Sequence, residues 1–169
     1  IVLVAGGDGT YLPFPDGYFD CVALSGVLEW IADTGNWGNS GSSISKAGRM
    51  FMSIFGESNP RRMQMKFLAE VRRILKPGGQ IFVGIENRLN YEYFGQRPDH
   101  HTGLWFGSLL PRFAANLYSI AVNKQPYRTY THSLRGLRRL FQASGFAEQE
   151  FLGFLNGYSH LSEIVPLET

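Results

Sequence analysis

Apolar and polar positions along the chain fall into blocks that switch between strand-like and helix-like spacing. Residues 1–5 (IVLVA) form a short β-branched run closed by Gly6-Gly7, which reads as a buried strand entering a turn. Pro15-Asp16-Gly17 marks a turn, and residues 19–25 follow as a near-continuous apolar run of the kind a parallel sheet buries on both faces. Residues 33–59 shift to Gly, Ser and Asn around an apolar stretch, 50–55, with the makings of a short helix, and read as an insertion. Asn59 then stands as an N-cap with Pro60 at the first helical position. Met63, Phe67, Val71 and Ile74 recur on one face, Leu68 and Leu75 widen the stripe, and Lys76-Pro77-Gly78-Gly79 stops it. Residues 80–85 predict a third buried strand. Strand, helix and strand in this order predict an α/β fold with a parallel sheet and right-handed crossovers.

Downstream, residues 88–131 carry no simple period and are rich in aromatics, which predicts an irregular insertion or lid over one end of the sheet. Residues 133–144 restore helical spacing, with Leu134, Leu137, Leu140 and Phe141 inward and Arg135, Arg138 and Arg139 on a solvated face. Gly145 ends this helix, and residues 147–155 read as a closing strand. One domain over residues 1–169 is the natural reading, since 44% hydrophobic residues suffice for a core. A net charge of +2, with the arginines spread out, argues against nucleic acid as a partner. The single cysteine, Cys21, lies in an apolar run and reads as a small buried hydrophobe in a reducing cytoplasm. No apolar run is long enough for a transmembrane segment, and the greasy tract 104–122 is broken by Gly107, Pro111, Arg112 and Asn116. It reads as a pocket wall, with a monotopic membrane contact as the lesser alternative.

Three segments carry a further signal in their order: residues 12–20 (LPFPDGYFD), residues 25–30 (SGVLEW) and residues 67–79 (FLAEVRRILKPGG). Together they resemble the class I S-adenosylmethionine-dependent methyltransferases, over about residues 1–86, with a weaker likeness in the helix ending Ala143-Ser144-Gly145-Phe146. The resemblance implies a Rossmann-like sheet that is incomplete at its N-terminal side, because the family's glycine-rich first turn and its ribose-binding acidic residue would lie upstream of Ile1. It implies that Asp8 accepts from the adenine amine, that Gly9 offers a backbone donor beside it, with Thr10 next in line, and that Ser25, Gly26 and Val27 lie against the methionine end of S-adenosylmethionine. Asp8 has a plain alternative as the residue stabilising a glycine turn. Where the family often reads Leu-Glu-His, this chain has Leu28-Glu29-Trp30, a departure that leaves the role of Trp30 open between cofactor packing and structure.

Ligands of open α/β sheets bind beyond the carboxyl ends of the strands. Glu86 and Arg88 follow the third strand, and Asp99-His100-His101-Thr102 sits in the aromatic insertion, so these supply the catalytic candidates: His100 or His101 as a base oriented by Asp99, with Glu86 and Arg88 nearby. Adjacent histidines also occur as plain polar loop residues. Tyr130 and His132 are weaker candidates, His132 having an alternative as a helix cap. The spacing of His and Cys offers no metal site. The insertion's aromatics suit a small-molecule or saccharide acceptor, and equally the private core of a subdomain. The expected activity is methyl transfer to a small or sugar-like acceptor, O-directed, with this chain alone binding S-adenosylmethionine weakly or not at all. Two alternatives stand beside it: a non-catalytic binding module on the same fold, and an NAD(P)-dependent oxidoreductase, for which no G-x-G-x-x-G turn is present.

Overall fold

The computed structural model of the chain describes residues 11–31, 59–95, 97–99, 101–155 and 163–167. The strand expected at 1–5, most of the insertion at 33–59 and the site candidates Asp8, Gly9, Thr10 and His100 lie outside the described residues. Within them the fold is mixed α/β. Strand β1 (Phe19–Ser25) pairs in parallel with β2 (Leu75–Gly84), Cys21 opposite Gln80 through Ser25 opposite Gly84. Helix α1 (Pro60–Ile74) links them, starting where the sequence predicts: the Asn59 side chain accepts from the Arg61 N–H, and Pro60 occupies the first turn.

The motif segments form one physical unit. Arg73 of α1 donates to the Leu12 and Phe14 carbonyls at 2.8 Å each and pairs with Asp16 at 2.7 Å and Glu70 at 2.9 Å. Glu70 in turn accepts from the Leu12 N–H. Gly17 and Tyr18 donate to the Arg73 and Ile74 carbonyls, so the turn before β1 is hung on the last turn of α1. Glu70 is held below the usual carboxylate range, first by its hydrogen bond to Arg73.

Helices α1 and α3 (Leu134–Ala143) cover one face of the β1–β2 pair. Leu24, Leu28, Phe67, Leu68, Val71, Leu75, Leu137, Leu140 and Phe141 form this core, in which Leu28, Leu68, Val71 and Leu140 are fully buried. The stripe read from the sequence is correct for Phe67, Leu68, Val71 and Ile74, while Met63 is only half-buried, Leu75 is buried as the first residue of β2, and Gln64 is as buried as the apolar members. Burial on both faces of β1 is not what is found. Cys21 is exposed, and with Ala23 and Phe82 it lies on a face that no described element covers. The expected closing strand is also corrected. Strand β3 (Leu152–Leu155) pairs antiparallel with β4 (Glu163–Pro166) in a separate two-stranded sheet, while Phe151 just before it packs on the main core.

Residues 88–131 are not irregular throughout. They hold α2 (Arg112–Asn123) and a second small core of Leu104, Ala115 and Tyr127. The period escapes a sequence reading because the inward face of α2 is Ala115, Asn116 and Ser119, small or polar residues that carry no hydrophobic signal. The described helices include none that is long and apolar enough to cross a membrane.

Candidate functional site

The carboxyl ends of the two parallel strands feed the site. After β1 the chain turns at Gly26, whose φ of +62° suits glycine and whose N–H donates to the Gly84 carbonyl at 2.9 Å. The single 3-10 turn Leu28–Trp30 follows. After β2 come Ile85 and Glu86. The two elements deliver Trp30 and Glu86 to one place, and His101 meets both: its Nε2 lies 3.3 Å from Glu86 Oε2, and its ring packs edge-on against Trp30 with centroids 4.9 Å apart. The same Glu86 oxygen accepts from the Tyr93 hydroxyl at 2.8 Å. A separation of 3.3 Å is long for a charge-assisted bond, as catalytic pairs often are without ligand.

His101 is held above the ordinary histidine range, foremost by its hydrogen bond to Glu86, against the opposing effect of burial, with the charges of Glu86, Asp99 and Glu29 adding to the rise. Tyr93 is pushed up, by burial and then by Glu86, so it stays a protonated donor. Asp99 does not orient the imidazole as expected. Its carboxylate accepts from the His101 backbone N–H at 2.9 Å and from the Tyr127 hydroxyl, fixing the turn that carries His101, and Glu86 takes the orienting position instead.

His101 and Trp30 form one side of a cleft of about 310 Å³, whose other walls include Thr102, Ser119, Asn123 and Arg128. Ser119 and Asn123 come from the inward face of α2, and Asn123 donates to the Thr102 carbonyl at 3.0 Å. Arg88 is not in this cleft. Its guanidinium donates to the carbonyls of Ser108, Leu109 and Leu110 at 2.7 to 3.0 Å and so anchors the turn before α2. Arg112, buried between the rings of Tyr127 and Tyr130, donates to the Tyr127 and Thr129 carbonyls, and burial lowers it to about 10, which keeps it cationic at neutral pH. Ser25 and Val27 are exposed beside Gly26 at the end of β1, open to a ligand from outside but apart from the walls of the 310 Å³ cleft.

Gln64 and His132 hold these parts together. The Gln64 amide donates to the Leu28 carbonyl at 2.8 Å and the Tyr130 carbonyl at 3.0 Å, and its oxygen lies 2.7 Å from His132 Nε2. Since the amide nitrogen is spent on two carbonyls, the oxygen is the acceptor and His132 carries its proton on Nε2. His132 is thus no helix cap, a place taken by Ser133, and its carbonyl accepts from the Arg88 N–H beside the end of β2. Gln64 was missed, although a polar residue four positions before Leu68 on the apolar stripe of α1 is a signal that could have found it. Tyr93 and Tyr127 were visible only as two aromatics among many. The described residues bring no three His, Cys, Asp or Glu side chains together as a metal site.

Burial, followed by the charges of Arg61 and Arg88, pushes His132 down to about 4. An unfolded histidine titrates near 6.5, so between these values the unfolded chain binds the extra proton. The stability due to neutral His132 is complete above about pH 6.5 and is lost as pH falls toward 4. His101 has the opposite sign, its contribution being lost as pH rises through its folded value, so it works against the acid lability rather than adding to it. Unfolding free energies from urea titrations at about pH 7 and about pH 5 are expected to differ by roughly 2 kcal/mol. The difference should shrink in His132→Gln, which keeps an amide donor for Gln64 but cannot titrate. An unchanged difference in that variant would assign the acid lability to other groups. No family model, curated protein or solved structure matches this chain.

Proposed function

We propose that the chain serves an S-adenosylmethionine-dependent methyltransferase of the class I, Rossmann-like kind, acting on a small hydroxylated or sugar-like acceptor. The observation that carries this reading is the meeting of Glu86, just past β2, with His101 at 3.3 Å on the wall of a cleft beyond the strand ends. The described residues fit the cofactor's methionine end. Ser25 and Val27 are exposed where β1 stops, and Gly26 between them is half-buried and adopts a positive φ. Asp8, Gly9 and Thr10 would take the adenine end. When bound, the sulfonium supplies an electrophilic methyl group for in-line displacement.

The chain's own contribution is alignment and proton removal. Trp30 offers an aromatic face to a sugar-like ring, while Thr102, Asn123 and Arg128 give hydrogen-bonding walls. His101, with Nε2 donating to Glu86, takes the acceptor's hydroxyl proton at Nδ1, and the Glu86 carboxylate stabilises the imidazolium that forms. Tyr93 fixes Glu86, and Asp99 with Tyr127 fixes the backbone of His101.

Titration calorimetry with S-adenosylhomocysteine, on this chain and on a version extended upstream in its reading frame, tests the reading. Binding is expected in the extended version and is expected to weaken at least about tenfold in Asp8→Ala, the cost of losing a charged acceptor from a buried amine. Absence of binding in both versions would transfer the chain to the non-catalytic alternative.

A further inference from the structure

Helix α2 is built inside out. Its buried positions are Ala115, Asn116 and Ser119, and Asn116 and Ser119 are 1% exposed each. Its outer face carries Phe113, Leu117 and Ala121, spaced four residues apart on a single stripe that ends at Lys124. Phe113 and Leu117 are 56% and 54% exposed, and Val122 on the flank is 56% exposed. Burial of the polar face is explained by what lies beneath it: Asn116 accepts from the Tyr127 N–H, and Ser119 and Asn123 line the cleft. Nothing within the described residues explains why the opposite face is apolar. A helix that needed only water outside would place lysine or glutamate there.

Two more exposed rings lie shortly before it in the chain. Trp105 and Phe106, 46% and 47% exposed, immediately precede the 3-10 turn Gly107–Leu109, which packs against α2. Phe106 has a φ of +60°. The left-handed region costs an L-residue about 1–2 kcal/mol, and an exposed ring gains little packing in return.

The charge distribution identifies the partner. Residues 100–147 contain Arg112, Lys124, Arg128, Arg135, Arg138 and Arg139 and not one Asp or Glu. The rest of the chain holds ten basic and fourteen acidic residues, so the acid-free stretch of the sequence is the one that contains this helix. Lys124, Arg128, Arg135 and Arg139 are exposed. Exposed aromatic and aliphatic side chains within a segment free of acids are the composition by which a helix lies in the interface of a membrane carrying anionic lipid.

We infer that the outer face of α2, with Trp105 and Phe106 beside it, is a docking surface for an anionic lipid bilayer. Phe113 and Leu117 enter the acyl boundary, Lys124 at the end of the stripe meets the headgroups, and the polar face keeps the cleft walls in place. This inference stands apart from the methyl-transfer reading, since it uses neither cofactor nor base.

Vesicle co-sedimentation of the full chain tests it, with phosphatidylcholine alone and with a phosphatidylcholine–phosphatidylglycerol mixture, each at low and high salt. Expected is partition onto the mixed vesicles at low salt, weakening at high salt and on neutral vesicles. Lys124→Ala is expected to lower it about fivefold. The double variant Phe113→Ser, Leu117→Ser is expected to lower it about tenfold or more while leaving the thermal melt nearly unchanged, both positions being exposed. No partition onto mixed vesicles, or partition indifferent to the double variant, overturns the inference. So does a concentration-dependent dimer abolished by that variant, which would give the face to a second copy of the chain.

Discussion

Replacing Gln64 with alanine is expected to destabilise the chain by roughly 3–5 kcal/mol, an unusually large loss for a polar side chain. The reason is geometric. Gln64 is fully buried and all of its bonds close non-local contacts: to the Leu28 carbonyl, the Tyr130 carbonyl and His132 Nε2. Truncation leaves one buried acceptor, one partly buried acceptor and one buried donor without partners, each costing on the order of 1–3 kcal/mol when it has no route to water, and it opens a cavity on the Phe67 and Leu68 face of α1. The readout is the urea midpoint with its slope. Gln64→Leu separates the two causes, because it fills the cavity while breaking the same bonds, and it is expected to recover only a minor part of the loss. In a double-mutant cycle with His132→Ala, a coupling of about 0.5–3 kcal/mol is expected for directly bonded side chains. A loss below about 1 kcal/mol for Gln64→Ala would mean that water or relaxation satisfies these groups, and the view of Gln64 as the clasp of the site would be withdrawn.

The consequence reaches the site through two of those bonds. The Leu28 carbonyl belongs to the turn that presents Trp30, and the Tyr130 carbonyl belongs to the segment held by Arg112. The Tyr130 N–H donates to the Glu29 carbonyl at 2.9 Å, so the two segments are joined directly as well. Loss of Gln64 therefore loosens the Trp30 wall of the cleft before it disturbs the core beneath.

The β1–α1–β2 unit was legible because its signals are local and redundant, an Asn-Pro start and a stripe at helical spacing, although the helix ends at Ile74 and Pro77-Gly78-Gly79 lie within β2, which begins at Leu75 rather than residue 80. Its parallel pairing follows from the crossover helix alone. Exposure of Cys21 was not legible, since an apolar strand is read as buried on both faces whether or not a second layer exists. Helix α2 was missed for the opposite reason: the hydrophobic period that sequence reading relies on is turned outward, and the inward face is polar. Of the catalytic candidates, Glu86 and His101 were singled out from their places after a strand and in a loop, and the structure brings them together. Their pairing could not be read, because it depends on the turn fixed by Asp99 and Tyr127, a contact spanning 28 residues. The sequence suggested the nearest carboxylate, Asp99, as the orienting group. A backbone turn of the Asx type occupies that carboxylate and hands the role to Glu86.

On the proposed reaction, His101→Ala is expected to lower methyl transfer by about 10²–10⁴-fold, the range for losing a positioned base, with Glu86→Gln falling short of that. The assay follows formation of S-adenosylhomocysteine in the upstream-extended chain against a panel of hydroxylated saccharides. The two variants differ further in pH dependence. Only neutral imidazole accepts a proton, so the rate rises with pH through the folded value for His101, which Glu86 holds above the ordinary range. Removing the carboxylate charge lowers that value, moving the rising limb to lower pH while the plateau drops, because the imidazolium formed in the transition state has lost its partner. The same shift is readable without any acceptor, as the chemical-shift titration of His101 in the free chain. A titration of His101 that does not move downward in Glu86→Gln would break the dyad itself. A downward shift with no change in rate for His101→Ala would leave the dyad as structure and place the base elsewhere in the cleft. The outcomes are distinct because the pairing is a property of the fold, set by the ends of two parallel strands and one Asx turn, while its use as a base depends on a hydroxyl arriving beside it.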